Sequence, residues 1–312
     1  MIEPAPIIIV GDATDPHVRE VASLLPPSAL VIVDATRLNA VLLSMDLDHT
    51  VLRDVTGKVV NVGAGSPARG WLRRLAPAAW GHGVSIGSHA AAVLSSRMTL
   101  LAALLRDRGI SWITAVDDLF PAENKVVQYR AAVAVGIRVP KTLVSAQAAH
   151  LADDLAEPFV VKPLGPGNFD EDGRQHVAYA RRVRAADLAE VDLLAAPFLS
   201  QQAVEARRHL RVVTVGQRAW VAELDGADLP LDWREHPPAH HAFRVSRDWA
   251  AVERAAVTLA GSLRVGLSSQ DWIVDNEGPA FLDLNPGGQW LFLPPEITGP
   301  VTTTLTDRLA GR

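Results

Sequence analysis

The most informative part of the chain reads Gln270-Asp271-Trp272-Ile273-Val274-Asp275-Asn276-Glu277-Gly278-Pro279-Ala280-Phe281-Leu282-Asp283-Leu284-Asn285. Two apolar runs flank a group of turn-forming residues, which predicts a β-hairpin with strands at 269–275 and 279–284. With a turn centred on Glu277, Asp271 and Asp283 are equally far from the turn and face each other across the hairpin. Two like charges in directly opposed positions destabilise a sheet unless something offsets them.

The opposed carboxylates predict a magnesium site. Side chains alternate between the faces of a strand, so Asn285 shares a face with Asp283, while Leu282 and Leu284 point away into apolar packing. Carboxylate and amide oxygens are ligands that Mg²⁺ accepts, and a bound cation reverses the repulsion. We therefore interpret Asp271, Asp283 and Asn285 as candidate metal ligands. The alternative is a solvated face, since a one-residue shift of the turn moves the side chains of one strand to the other face.

The composition is that of an enzyme-sized protein without thiol chemistry. The chain has 312 residues, 48% of them apolar, with 30 basic and 35 acidic side chains and a net charge of −5. At roughly 100–200 residues per domain, this length fits two or three domains with sizeable cores. The absence of Cys excludes a disulfide scaffold, a thiolate metal site and a cysteine nucleophile. The balanced charge disfavours nucleic acid as a partner.

The first residues show no export signal. They lack a basic segment, and the apolar run 7–10 is too short for a signal peptide. No stretch of the sequence reaches the roughly 18 uncharged apolar residues that a membrane-spanning helix needs. We therefore expect a cytoplasmic protein that does not enter a membrane.

The order of predicted elements indicates an α/β region followed by α+β lobes. Helices are predicted at 88–108 and 117–135, after a region of short strands. We predict an N-terminal α/β domain at 1–90, linker helices with a small lobe at 91–200, and a C-terminal lobe with the metal site at 201–312. This order favours a cleft between two α+β lobes.

The second half of the chain is predicted to be rich in strands. They are expected at 141–144, 159–162, 177–183, 193–200, 210–215 and 218–224. A long helix is predicted over 246–264, with Ser246 as its cap and Trp249 in the core.

Two lysines and a glycine-rich loop are candidate phosphate contacts. The apolar strand 159–162 ends in Lys162 and leads into a loop with Gly165 and Gly167, where backbone N–H groups can approach an anion. The Gly-Lys-Ser/Thr signature of a P-loop is absent. The alternative for this loop is a simple turn, and the alternative for Lys125, at a predicted helix start, is a solvated surface position.

Two arginines are candidate anion ligands. Arg211 directly precedes the apolar run 212–215, and Arg234 ends the triplet Asp232-Trp233-Arg234 in a Pro- and His-rich stretch. For each arginine the alternative is a structural salt bridge.

These segments occur in an order typical of one family. They are Trp71-Leu72-Arg73-Arg74, Lys125-Val126-Val127-Gln128-Tyr129-Arg130-Ala131-Ala132, Gly136-Ile137-Arg138-Val139-Pro140-Lys141-Thr142-Leu143, Phe159-Val160-Val161-Lys162-Pro163, Gln201-Gln202-Ala203-Val204, Arg211, Asp232-Trp233-Arg234 and Asp283-Leu284-Asn285-Pro286-Gly287-Gly288-Gln289-Trp290. The order resembles the ATP-grasp superfamily and, within it, the graspetide (microviridin-type) peptide ligases. The combination of Asp-Trp-Arg with Asn-Pro-Gly-Gly-Gln-Trp is its most specific part.

The resemblance implies the ATP-grasp fold and a role for each motif. It assigns ATP binding to Lys125, Lys162, Gly165, Gly167, Gln201, Gln202, Ala203, Val204 and His209. It assigns catalysis to Arg211 and Arg234, Mg²⁺ binding to Asp271, Asp283 and Asn285, and substrate binding to Arg74, Asp232 and Arg234.

The resemblance also implies a reaction. ATP and Mg²⁺ would activate an Asp or Glu side chain of a ribosomally made precursor peptide as an acylphosphate. A Thr or Ser hydroxyl or a Lys amine of the same peptide would then close an ω-ester or ω-amide ring. The implied partner has a leader and an acidic, Thr-, Ser- and Lys-containing core, and the implied assembly is a homo-oligomer. Two alternatives stay open: an ATP-grasp ligase that adds amino acids or glutamate to a protein or small peptide, and a non-catalytic nucleotide- or peptide-binding relative.

Three residues depart from the family pattern. His209 stands where an acidic residue usually holds the ribose hydroxyls, Gln202 replaces a Glu, and Asp283 replaces a longer Glu. Imidazole can still bond a hydroxyl, a carboxamide oxygen can accept from an amino group, and the shorter carboxylate can still bind Mg²⁺. We expect altered nucleotide geometry or affinity as a result.

Overall fold

The computed structural model describes residues 5–34, 42–53, 57–63, 67–74, 84–165, 167–171, 174–195 and 197–312. The chain divides into two units. The first comprises Met1–Phe120, Arg264–Leu267 and Thr298–Arg312, and the second comprises Pro121–Leu263 and Ser268–Ile297. The three-part domain division expected from the sequence stays a prediction.

The first unit contains a parallel and an antiparallel sheet. In chain order, the elements before the second unit are β1 (Ile7–Gly11), α1 (Pro16–Ser23), β2 (Leu30–Asp34), β3 (Leu42–Met45), β4 (His49–Arg53), β5 (Val59–Gly63), β6 (Ala68–Leu72), α2 (His89–Leu105), β7 (Ile110–Trp112) and α3 (Val116–Glu123), which ends in the second unit. Most of the last helix of the chain also belongs to the first unit. The parallel sheet has the order β2-β1-β6-β7, and the antiparallel sheet has the order β3-β4-β5. Strand β1 is buried along its whole length, which explains its uninterrupted apolar sequence.

The second unit is built on two larger sheets. The remaining elements of the chain are α4 (Lys125–Ala134), β8 (Thr142–Val144), α5 (Ala148–Leu155), β9 (Phe159–Lys162), β10 (Asn168–Glu171), β11 (Arg174–Val177), β12 (Arg181–Val183), β13 (Leu199–Gln202), β14 (Arg208–Val215), β15 (Arg218–Asp225), β16 (Arg244–Val245), α6 (Ala250–Ser262), β17 (Leu267–Asp275), β18 (Gly278–Asn285) and α7 (Pro295–Ala310). One sheet has the order β12-β9-β13-β8 and the other β16-β15-β14-β17-β18, while β10 and β11 form a hairpin. The predicted mixture of α/β and α+β structure is confirmed.

The predicted single helix over 117–135 is wrong. The chain forms two helices there, α3 and α4, divided at Asn124. The Asn124 side chain accepts the backbone N–H groups of Val126 and Val127 at 3.0 and 3.2 Å, and so caps a new helix. Lys125 therefore occupies the first turn of α4.

The predicted start of the helix over 246–264 is also wrong. The amide of Ser246 donates to the carbonyl of Val221 at 3.3 Å, which keeps this residue alongside β15. Helix α6 therefore begins at Ala250.

Two predicted strands are shorter than expected. The strand over 193–200 starts only at Leu199, because Asp192 accepts two backbone N–H groups in a preceding turn. The strand over 177–183 is interrupted after β11, where the amide of Ala178 donates to the carbonyl of Gly167 at 2.7 Å.

Strands β17 and β18 form the predicted hairpin, with a turn at a slightly different place. Asp275 pairs with Gly278, which leaves Asn276 and Glu277 as a two-residue connection. The turn therefore centres between these two residues and not on Glu277.

A β-bulge changes the register of this hairpin. Trp272 pairs with Phe281, whereas Asp271 pairs with Asp283, so Leu282 is an extra residue on β18. In a hairpin without the bulge, Asp271 would face Leu282. The prediction that Asp271 and Asp283 face each other is confirmed, but the bulge produces this pairing and the position of the turn does not.

Within the described residues, no helix combines the length and the apolar content that crossing a membrane requires.

In the first unit, position 266 accommodates only glycine. A Cβ atom on Gly266 would lie 1.8 Å from the carbonyl oxygen of Ile113. We expect Gly266→Ala to lower the free energy of unfolding by at least about 1–3 kcal/mol, because backbone cannot move aside as a side chain can. Gly261→Ala is the matched control. It lies in α6 with open space around its Cβ position, and should raise stability by about 0.5–1 kcal/mol. Urea unfolding of both variants checks this, and equal stability of the two would contradict it.

Candidate functional site

One cavity in the second unit gathers most of the candidate residues. Its volume is about 590 Å³, and both larger sheets contribute to its lining. The candidate residues in the lining are Lys125, Lys162, Gly165, Gly167, Gln201, Gln202, Val204, His209, Asp232, Arg234, Asp271 and Asp283. The fold thus brings together side chains that are far apart in the sequence.

Four candidates lie outside this lining among the described residues. One of them, Arg211, is buried and contacts the lining residue Asp271. Asn285 is exposed on the same face of β18 as Asp283, and its side chain accepts the amide of Gly287 at 2.9 Å. Ala203 is partly buried in the segment that follows β13. Arg74 belongs to the first unit and is exposed.

The bulge brings two consecutive residues of β18 to the cavity. Both Leu282 and Asp283 line it, whereas Leu284 is buried. The prediction that Leu282 points away from Asp283 is therefore wrong, because strict alternation does not hold at the extra residue of a bulge. The prediction for Leu284 is confirmed.

Each of the opposed carboxylates has its own cation. Arg211 Nη1 donates to Asp271 Oδ1 at 2.8 Å, and Lys125 Nζ lies 3.8 Å from Asp283 Oδ1. The like charges, which would destabilise the sheet by themselves, are offset by these two bases. Each carboxylate of the opposed pair therefore lies beside a positive charge.

Arg211 is bound on several sides and still has an unused donor. Its Nη2 donates to the carbonyl of Gln289 at 3.3 Å, and the guanidinium lies 5.8 Å from the ring centre of Phe292. Its Nε is buried without a hydrogen-bond partner among the described residues. A buried donor without a partner costs free energy in the folded protein.

Lys162 is partly buried and carries an unusual pKa. Its Nζ donates to the hydroxyl of Tyr129 at 2.8 Å and approaches the carbonyl of Leu282 at 3.4 Å. Burial lowers the pKa of Lys162 to about 8, against the opposing attraction of Asp283, and the positive charge of Lys125 lowers it further.

Asp232 holds Arg234 in a fixed orientation. Arg234 Nε and Nη2 donate to the two carboxylate oxygens at 2.7 and 2.5 Å. Burial alone would raise the pKa of Asp232, but the hydrogen bonds and charge of Arg234 outweigh burial and lower it. The pKa of Arg234 is raised, first by its hydrogen bond to Asp232 and also by the more distant Asp271 and Asp283.

An aromatic cluster anchors the triplet that contains Arg234. Trp233 is buried, and its ring centre lies 4.9 Å from His240, 5.1 Å from Phe243 and 6.3 Å from Phe292. The backbone on either side of Trp233 is therefore fixed by packing.

His209 contributes a neutral polar group to the cavity. Burial lowers its pKa below the ordinary 6.5, although Asp271 and Asp232 act in the opposite direction. The imidazole is therefore uncharged at neutral pH, with one donor and one acceptor nitrogen.

Two residues of α4 were not identified from the sequence as functional. Gln128 and Tyr129 are both buried and contact the backbone of β18. A polar side chain on the buried face of a helix is the signal that could have drawn attention to Gln128.

A cation in this cavity would need ligands beyond carboxylates and imidazoles. Across the part of the chain that the structure describes, no three His, Asp or Glu side chains are arranged to hold a metal. The available set is Asp271 and Asp283 with the amide of Asn285, which leaves coordination positions for oxygens of a ligand.

Comparison with known proteins identifies the fold. No protein-family model matches the sequence, and no curated protein matches it. Solved structures are similar over almost the whole chain. A Chryseobacterium gregarium RiPP-associated ATP-grasp ligase, in complex with ADP and a leader and core peptide, has a TM-score of 0.86 and 18% identity, covering 98% of this chain and 97% of that one.

Two further structures are similar at comparable identity. Macrocyclase MdnC, bound with precursor peptide MdnA from Microcystis aeruginosa MRC, has a TM-score of 0.80 and 16% identity, covering 98% of this chain and 100% of that one. ATP-grasp ligase PsnB, complexed with a phosphomimetic variant of a minimal precursor, Mg and ADP, has a TM-score of 0.74 and 17% identity, covering 99% of both chains. The predicted ATP-grasp fold is confirmed.

The pKa of Lys162 predicts a dependence of stability on pH. Because the folded-state pKa, about 8, lies below the ordinary 10.5, folding disfavours the ammonium form. The full free-energy cost of burying the ammonium applies below about pH 8, and it disappears above the ordinary pKa of 10.5. Lys162→Met removes it, so the stability of the variant relative to wild type should fall between about pH 7 and pH 10.

Urea unfolding at the two pH values measures this change. Lys141→Met is the matched control, because the ammonium of Lys141 is exposed and pairs with Asp154 at 2.9 Å. A stability difference for Lys162→Met that does not change with pH would contradict the assignment.

Proposed function

We propose that the protein is an ATP-dependent, ADP-forming ligase that closes rings in a ribosomally made precursor peptide. The observation that carries the proposal is one cavity lined by Lys125, Lys162 and Arg234 together with the opposed Asp271 and Asp283. The similar structures support it, because the Chryseobacterium ligase binds ADP with a leader and core peptide, and MdnC is a macrocyclase bound with its precursor.

The cavity suits a nucleotide in size and chemistry. Its volume of about 590 Å³ falls within the roughly 300–1,000 Å³ typical of small-molecule sites. We assign the adenine to the backbone of 201–204, the ribose to His209, and the phosphates to Lys125, Lys162 and the loop with Gly165 and Gly167. A neutral imidazole at position 209 can exchange hydrogen bonds with a ribose hydroxyl without adding negative charge beside the phosphates.

The opposed acids suit Mg²⁺. Asp271 and Asp283 both face the cavity, and Asn285 adds an amide oxygen on the same face of β18. Hard oxygen donors of this kind are the ligands that Mg²⁺ prefers, and phosphate oxygens complete its coordination. Bound Mg²⁺ would spread the negative charge of the transferring phosphoryl group.

The proposed reaction has two steps. A side-chain carboxylate of the peptide attacks the terminal phosphorus of ATP, ADP leaves, and an acylphosphate forms. A hydroxyl or amine of the same peptide then attacks the acyl carbon, loses its proton, and phosphate leaves as the ester or amide forms. Lys162 and Arg211 would bind phosphoryl oxygens. No step needs a thiol, which agrees with a chain that has no Cys.

Recognition of the acidic side chain is assigned to Arg234. Its guanidinium is more than half exposed, yet its orientation is fixed by Asp232. A fixed guanidinium can bind a carboxylate through two parallel hydrogen bonds. Arg74, in the first unit, is also assigned to peptide binding.

The proposal includes the partners and the setting of the reaction. The substrate would carry a leader and a core with Asp or Glu beside Thr, Ser or Lys, and the enzyme would act as a cytoplasmic homo-oligomer.

Mass spectrometry tests the function. The protein is incubated with ATP, Mg²⁺ and a neighbouring encoded peptide that contains Thr or Ser, Lys and acidic residues. The peptide should lose the mass of one water for each ring, with one ADP formed. In a parallel incubation with free amino acids, a gain of mass would identify a ligase that adds amino acids. ATP binding without phosphate release would identify a non-catalytic relative, and either result would contradict ring closure.

Arg234→Ala should weaken use of the peptide and leave the nucleotide unaffected. Loss of two charge-assisted hydrogen bonds, at about 1.5–3 kcal/mol, predicts a fall in kcat/KM for the peptide of about 10- to 100-fold. Arg234→Lys should not restore it, because a lysine cannot bind bidentately. ADP affinity, measured by calorimetry, should stay within about twofold. Arg247→Ala, at an exposed arginine, is the control, and an equal loss there would contradict the role of Arg234.

Asp283→Asn should separate metal binding from folding. The amide is nearly isosteric but neutral, so the Mg²⁺ concentration needed for ADP binding should rise at least about tenfold. The melting temperature should change little, because Asp283 contributes one ion pair at 3.8 Å and its side chain is partly exposed. Asp248→Asn, at an exposed aspartate, is the control. Wild-type Mg²⁺ dependence in Asp283→Asn would contradict the metal assignment.

A further inference from the structure

Strand β18 is the last strand of its sheet, and α4 satisfies backbone groups on its outer edge. The carboxamide of Gln128 accepts the N–H of Leu284 at 2.9 Å and donates to the C=O of the same residue at 2.7 Å. A neighbouring strand would make the same pair of hydrogen bonds. Gln128 therefore takes the place of a strand at an edge whose polar groups would otherwise lack partners.

The orientation of the Gln128 carboxamide is itself fixed. Its Nε2 also donates to the carbonyl of Ala122 at 2.6 Å, and the residue is 1% exposed. All its hydrogen-bonding atoms are engaged with backbone, so a rotation of the carboxamide would break three hydrogen bonds.

Tyr129 holds the backbone on the other side of Asp283. Its hydroxyl donates to the carbonyl of Leu282 at 2.7 Å, directly before Asp283, and Gln128 binds directly after it. Burial and the negative charge of Asp283 raise the pKa of Tyr129, so the phenol keeps the proton that it donates. The two side chains thus bracket Asp283 at the bulge, where the pairing with β17 is interrupted.

The Tyr129 hydroxyl also accepts a hydrogen bond from Lys162 Nζ at 2.8 Å. One hydroxyl group therefore connects the backbone beside Asp283 with the lysine at the end of β9. Movement of the bulge would move this lysine as well.

We infer that Gln128 and Tyr129 are positioning residues, which hold the bulge at Leu282 and thereby direct Asp283 and Lys162 into the cavity. The inference rests on the proposed function for its ligands, Mg²⁺ and ADP. The contacts themselves do not depend on that function, because they lie within the protein.

The two residues should affect ligand binding in different ways. Gln128→Leu keeps the volume and removes all three hydrogen bonds, so MgADP affinity should fall about tenfold while metal-free ADP affinity stays within about twofold. Tyr129→Phe removes one hydroxyl and frees Lys162, so it should lower both affinities. Gln128→Glu keeps the acceptor for the Leu284 amide but loses the donors, and should have an intermediate effect on amide exchange in β18.

Calorimetry with ADP, with and without Mg²⁺, and hydrogen exchange of the protein without ligand measure these effects. Exchange of the Leu284 amide should increase about tenfold in Gln128→Leu. Gln217→Glu, at an exposed glutamine, and Tyr179→Phe, at the other tyrosine of the chain, are the matched controls and should behave like wild type. Circular dichroism at the assay temperature verifies that each variant is folded.

The outcomes distinguish the inference from the proposed function. Wild-type exchange in β18 and wild-type MgADP affinity in both Gln128→Leu and Tyr129→Phe would overturn the inference. Equal loss of metal-free and MgADP affinity in Gln128→Leu would also overturn it, because that pattern indicates general loss of structure. If wild type binds no MgADP but Gln128→Leu still increases exchange at Leu284, the proposed function fails and the positioning of β18 is supported.

Discussion

The register of β17 and β18 changes by one residue at Leu282, and the arrangement of charges in the cavity follows from that change. Without the extra residue, Asp271 would face a leucine and Asp283 would turn to the other side of the sheet. With it, two carboxylates face each other beside Lys125 and Arg211. A bulge interrupts backbone pairing, so this arrangement needs support from outside the hairpin, and α4 supplies it.

Opposite charges at the cavity are arranged in pairs. Asp271 binds Arg211 at 2.8 Å, and Asp232 binds Arg234 through both carboxylate oxygens. Paired charges can be held in a partly buried cavity at a lower cost than isolated ones. The nearly balanced charge of the whole chain is consistent with this local pairing, because bases that could meet phosphates lie beside acids that could meet a cation.

The sequence was sufficient for the fold and for most of the charged residues that line the cavity, because motif order and strand pattern are properties of the chain itself. The sequence did not reveal the bulge. A turn centred on Glu277 and a bulge at Leu282 both predict that Asp271 pairs with Asp283, so the sequence pattern could not distinguish them. The prediction that Asp271 and Asp283 face each other was therefore correct, but the reason for it, a turn centred on Glu277, was wrong. The division of the helix at Asn124 could have been read from its capping residue, and the role of Gln128 depends on a strand far away in the sequence.

In the proposed reaction, a peptide carboxylate is activated in this cavity by the terminal phosphate of ATP. This step is tested most directly by following oxygen from the peptide to phosphate. A precursor peptide whose Asp and Glu side chains carry heavy oxygen is incubated with ATP, Mg²⁺ and the protein, and the released phosphate is examined by mass spectrometry. For each ring that closes, we expect one released phosphate that carries one heavy oxygen. Ring closure with unlabelled phosphate, or labelled phosphate absent while ADP forms, would contradict the account.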